Sequence, residues 1–169
     1  LVRRAETLIA RYLASGHHVI IGFGDAGVAL MESLLEESRS ALVVGIEIAP
    51  ATGTIDPTRE RGAILIAADA TTRDVLEGVA PERAAGIFIA TGEESRNLDL
   101  AGEVADIVER RLGRLATRPE PEARPRIVAH VNDPILRQRQ SRGEGLFAKP
   151  TSDGNRTVVA DPVAFSSDE

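Results

Sequence analysis

The stretch His18-Val19-Ile20-Ile21-Gly22-Phe23-Gly24-Asp25-Ala26-Gly27 constrains the fold more than any other in the chain. A short run rich in β-branched residues leads directly into glycines spaced G-x-G-x-x-G, and the residues behind them repeat at helical spacing through Val28, Met31, Leu34 and Leu35. Strand, tight turn and helix are thereby joined with no room for a loop. A strand this apolar must be covered on both faces, which calls for parallel neighbours and flanking helices. Glycines also occupy turns for conformational reasons alone. The motif therefore admits two readings: a purely structural turn, or a turn whose backbone N–H groups, at the helix N-terminus, face a pyrophosphate.

The rest of the chain repeats the same unit. Residues 41–48 form a second continuous apolar run, 62–68 a third strand, 71–79 a short helix and 86–91 a fourth strand. A longer helix follows over 95–112, with Leu98, Ala101, Val104, Ala105, Val108 and Leu112 as its apolar stripe. Residues 126–131 supply a fifth strand and 134–140 a helical turn. This alternation predicts an α/β fold, a Rossmann-like doubly wound parallel sheet in three layers, α/β/α. Two Pro-containing segments, 49–60 and 113–125, read as surface loops. The expected organisation is an amphipathic leading helix or linker over 1–16, the Rossmann-like domain over 17–140, and an edge strand with a C-terminal linker over 141–169.

Length and charge narrow the function. A chain of 169 residues that is 43% hydrophobic and 27% charged fits one globular domain. Its net charge of -6 argues against a nucleic-acid partner, which requires a basic surface. Absence of cysteine excludes disulfides and thiolate metal sites. No run approaches the roughly 20 apolar residues of a membrane span, and no signal peptide opens the chain, so a cytoplasmic location is expected. Starting at Leu1 and closing on Phe165-Ser-Ser-Asp-Glu169, it reads as part of a longer polypeptide.

The candidate site residues lie where the strands end. Glu47 falls 20 residues beyond Gly27, the distance at which an acid accepts hydrogen bonds from an adenosine ribose and repels a 2′-phosphate; Ile48 adjoins it. Asp69 and Ala70 follow the third strand, and Thr91, Gly92, Glu93 and Asn97 follow the fourth. Asp69 and Asn97 also suit helix capping. Catalytic groups are harder to find. Tyr12 precedes the glycine motif and Lys149 is remote from it, so no Tyr-x-x-x-Lys proton relay exists. His17 and His18 read as turn residues at the start of the first strand, and His130 as a core or interface histidine within the fifth. No catalytic triad and no metal-ligand grouping is legible. The domain is expected to bind without catalysing.

In order, G-x-G-x-x-G, Glu47, A-D-A-T-T-R-D-V-L from Ala68, I-F-I-A-T-G-E-E-S-R-N-L from Ile87 and R-I-V-A-H-V-N-D-P from Arg126 resemble the TrkA-N nucleotide-binding fold, also called the RCK (regulator of potassium conductance) domain. The resemblance covers residues 16–140. It implies a regulatory domain of a potassium channel or transporter that binds NAD(H), ATP or ADP and assembles as a homodimer or larger ring. The membrane partner lies on the same or another chain, and segments outside this one would tether the domain to the inner face of the membrane. It further implies that Gly22, Phe23, Gly24, Asp25, Ala26 and Gly27 cradle the phosphates and Glu47 reads the ribose. Asp69 and Ala70 would flank the adenine, with Thr91, Gly92 and Glu93 bordering the other half of the nucleotide. Two departures stand out: Ala68 begins the Gly-Asp-Ala-Thr signature, and His130 replaces a frequent Arg. Two other readings stay open, the cofactor domain of an NAD-dependent oxidoreductase whose catalytic part lies elsewhere, and a Rossmann module that only dimerises.

Overall fold

The computed structural model describes residues 15–50, 63–114 and 124–130. The helix expected over 1–16, the helical turn over 134–140 and the edge strand and linker over 141–169 lie outside them, apart from residues 15 and 16. So does most of both loops.

Five strands, β1 (His18–Ile21), β2 (Val43–Glu47), β3 (Ile64–Ala67), β4 (Gly86–Ile89) and β5 (Arg126–Ala129), form one sheet in the order β3-β2-β1-β4-β5. Every pairing is parallel, with Ile20 opposite Gly45 on one side and Phe88 on the other. Each strand is shorter than its apolar run predicts. The run records burial, and burial continues past the strand ends: Gly22 and Ala63 are buried outside any strand.

Helix α1 (Asp25–Glu37) covers one face, and α2 (Arg73–Gly78) and α3 (Glu94–Leu112) cover the other. Alternate residues of each strand therefore enter different cores. Ile20, Val43 and Leu65 meet Met31, Val28, Leu34 and Leu35 of α1. Val19, Ile21, Val44, Ile46, Ile87 and Ile127 meet α2 and α3. The sheet is thus the Rossmann-like three-layer α/β/α arrangement.

Along α3 the buried stripe is Leu100, Ala101, Val104, Ile107, Val108 and Leu112. It is rotated slightly from the expected stripe: Leu98 is buried outside this cluster and Ala105 only partly covered. One element had no sequence signal, a 3-10 turn at Pro81–Arg83 behind Ala80, whose φ of 49° is left-handed. Proline at its first position presets the backbone for that turn.

His17 is not a surface turn residue. It is fully buried, and its ring Nε2 pairs with the Val79 carbonyl at 2.8 Å, stitching the start of β1 to the end of α2. His18 opens β1 with its ring 6.1 Å from that of Phe88. Burial lowers the pKa of both. His130 lies beyond β5 rather than within it.

Candidate functional site

The strand order reverses between β1 and β4, and the crevice outside their carboxyl ends is where an open parallel sheet accommodates ligands. A cleft of about 470 Å³ opens there. Its floor is backbone. After β1 the chain turns at Gly22 with φ of 91°, and a Cβ there would meet the Ala90 carbonyl oxygen at 2.5 Å. Glycine is required at this position on both counts. Gly27 is equally constrained, since its Cβ would overlap the Gly22 carbonyl; its absence lets α1 start tight against the turn.

Gly24 differs from both. A Cβ at this residue would meet nothing within 4 Å, its φ of -73° suits any residue, and it lies exposed on the cleft wall. Nothing in the chain's own packing calls for glycine here. Gly24 also caps α1 without a side-chain hydrogen bond. The first N–H groups of α1 therefore have no partner within the helix and carry its positive dipole end to the cleft.

Glu47 ends β2 with both carboxylate oxygens engaged. Oε2 accepts the Phe23 N–H at 2.7 Å and Oε1 accepts the Ala49 N–H at 3.2 Å. The acid thereby pins the glycine turn to the end of β2. Ile48, next in the chain, is 59% exposed beside the cleft. Asp69 ends the β3 side; its Oδ1 accepts the Thr71 N–H at 2.9 Å and hydroxyl at 2.8 Å. Those two bonds, with a smaller contribution from Arg96, lower its pKa.

On the β4 side Asn97 is the organiser. Fully buried, its Oδ1 accepts the Thr91 N–H at 2.8 Å and hydroxyl at 2.6 Å, while Nδ2 donates to the His130 carbonyl at 2.8 Å and the Thr91 carbonyl at 3.3 Å. One amide thus holds the β4–α3 loop and the end of β5 together.

The structure brings Gly22, Gly24, Asp25, Ala26, Glu47, Ile48, Asp69, Ala70, Thr91 and Gly92 to the cleft. Phe23, Gly27, Glu93 and Asn97 are not among its lining residues. Phe23 turns its ring into the α1 core against Gly45, Gly27 lies buried behind the turn, and Asn97 supports Thr91 from beneath. Glu93 precedes α3, accepts the Ser95 hydroxyl and borders a neighbouring hollow. Sequence reasoning missed Glu94, Arg96 and His130, which also line the cleft. For Arg96 a signal existed, a cation in the first turn of a helix, where the dipole disfavours it. Among the described residues no group of His, Asp and Glu is arranged to hold a metal ion.

An open parallel sheet with a glycine turn at its switch point and an acid ending the next strand defines the class of Rossmann-type nucleotide-binding folds. Within that class the chain belongs to the TrkA-N domain family, whose profile matches residues 18–138. Solved structures agree on the fold. The RCK domain of GsuK superposes with a TM-score of 0.55 at 20% identity over 80% of this chain, and GsuK bound to ADP with 0.56 at 19% over 79%. This chain covers only 26% and 31% of those two chains. The TrkA-N domain of the inner membrane protein YbaL from Escherichia coli gives 0.52 at 16%, covering 70% of this chain and 74% of that one. The NAD(P)-binding domain of an exopolyphosphatase-related protein from Archaeoglobus fulgidus gives 0.53 at 15%, covering 78% and 84%. No curated protein matches the sequence. No helix among the described residues is long and apolar enough to cross a membrane.

Proposed function

We propose that the cleft binds NAD(H) or ADP/ATP as a signal rather than a reactant, in a domain that regulates a potassium channel or transporter. The observation that carries this is Gly24. Glycine there serves neither the turn nor the packing, and beyond the modest preference for it at a helix N-cap the reason for a bare backbone is close approach by an outside group; the first N–H groups of α1 favour an anion. Glu47 retains acceptor capacity toward a ribose, and Ile48 offers an apolar surface to a base. GsuK, which has been solved with ADP, and the NAD(P)-binding domain from Archaeoglobus fulgidus support a nucleotide as the ligand.

As a regulator the domain works in a homodimer or ring, on the cytoplasmic side of the membrane, tethered through other segments of this chain or of a partner. A nucleotide changes the geometry of such an assembly only if it binds two arrangements with different affinity. The GsuK channel supports this placement.

Calorimetric titration of the chain with NAD, NADH, ADP and ATP tests the reading, together with Gly24→Ala. Because a methyl group at residue 24 has open space, this variant keeps its folding stability within about 1 kcal/mol, the lost cap preference offsetting the gain in chain stiffness. Its nucleotide affinity falls roughly tenfold or more, the equivalent of about 1.4 kcal/mol. Failure of all four nucleotides to bind, or full affinity in Gly24→Ala, refutes the proposal.

A further inference from the structure

The cleft gathers charge of one sign. Asp25, Glu47, Asp69 and Glu94 line it, and Arg96 is the one Arg or Lys among the described residues that does so. Helix stability gives no reason for an arginine at this place, because a cation in the first turn of α3 meets the positive end of the helix dipole. Its ion pair explains little more. Arg96 Nη2 lies 3.8 Å from Asp69 Oδ1, with the two side chains 42% and 40% exposed. A long, solvated pair of this kind contributes little to stability. Asp69 has better partners already, since the same oxygen accepts both the N–H and the hydroxyl of Thr71. The pair is loose, and it is anchored at the carboxylate end.

We propose that Arg96 is the residue that recognises the ligand's phosphates: on binding, its guanidinium leaves Asp69 for the pyrophosphate, and Asp69 stays with Thr71. The inference rests on reading the cleft as a nucleotide site and adds to it the residue that senses charge. A guanidinium fork matches two phosphate oxygens in a way that a solvated carboxylate 3.8 Å distant does not exploit. Among the described residues Arg96 is set against Asp25, Glu47 and Asp69, so the cleft takes a diphosphate in preference to a metal-free triphosphate. Asp69 is then an internal competitor of the ligand.

The test is the ratio of ADP affinity to adenosine affinity, measured by calorimetry on the whole chain, which isolates what the phosphates contribute. Arg96→Gln lowers that ratio roughly tenfold, as expected for loss of one charge-assisted hydrogen-bonded contact. The salt dependence of ADP binding weakens in parallel. Asp69→Asn keeps an acceptor for Thr71 but frees Arg96, and raises the ratio several-fold. An unchanged ratio in Arg96→Gln, with ADP still bound, overturns the role of Arg96 while leaving the nucleotide reading intact. Equal losses of ADP and adenosine affinity reduce Arg96 to a structural part and overturn it too. A fall of the ratio in Asp69→Asn removes the exchange. A wild-type chain that binds none of NAD, NADH, ADP and ATP ends the nucleotide reading itself, and this inference with it.

Discussion

Glu47 performs a structural task before any ligand arrives. Its two oxygens hold the Phe23 and Ala49 N–H groups, so the carboxylate fixes the turn at whose edge the proposed phosphates sit. Glu47→Gln has one carbonyl oxygen for two donors and sets its amide against the second. Urea denaturation without nucleotide is expected to show a loss of about 1 kcal/mol. Unchanged stability would assign Glu47 to ligand alone. At this scale the sequence showed much of the site, because glycine spacing and the distance to Glu47 are one-dimensional. It could not show that Phe23 faces the core while its N–H faces Glu47, since side chain and backbone of one residue point opposite ways. Arg96 escaped for a related reason: it contributes across the cleft to Asp69, which is 27 positions earlier and brought near only by the sheet.

Among the elements, the β4–α3 connection depends on a single amide. Asn97→Ala strands the Thr91 N–H and the His130 carbonyl and is expected to cost about 2–3 kcal/mol in denaturant unfolding. Asn97→Asp keeps both acceptor bonds to Thr91 but turns a carboxylate toward two carbonyls, so it is expected to be at least as damaging. Were Asn97→Asp as stable as the native chain, the donor half of this network would carry no weight. Strand and helix identities followed from periodicity, since the parallel strands are buried on both faces and read as unbroken apolar runs. Their ends did not, because buried residues continue past the strand ends. The turn at Pro81–Arg83 depends on a left-handed Ala80, which no propensity favours.

The molecule as a whole should respond to pH in two separate windows. His17 is buried, its Nε2 donates to Val79 and its Nδ1 has no hydrogen-bond partner, so a second proton would be stranded. Burial lowers its pKa, helped by His18 and Arg83, while the Val79 bond and Glu82 oppose the shift; His18 is lowered by burial against the pull of Glu37. The unfolded chain therefore takes up protons first. Stability is complete above the ordinary histidine range, near 6.5, and declines as pH falls through it. Asp69, lowered by its Thr71 bonds, and Glu77, lowered chiefly by Arg73, act in a second window: their contribution is present above the ordinary carboxylate range and fades below it. Urea midpoints between pH 8 and 5 should fall for the native chain and fall less steeply in His17→Gln, which can still donate to Val79 and leaves His18 to titrate. A native profile with no slope over that span would mean that neither histidine titrates differently on folding.

The floor of the cleft has a consequence for how such a chain can diverge. Gly24 and the opening turn of α1 present amide hydrogens, which every residue but proline possesses, while the Gly22 N–H is held by the Ile46 carbonyl at 2.9 Å, so what the floor offers is written in conformation rather than in side-chain identity. Substitution can accumulate over nearly the whole surface while a few glycines hold the shape. A solved structure that shares only 15% of its aligned residues with this chain still superposes on it. The shape of such a cleft is held by its backbone and does not depend on which side chains surround it.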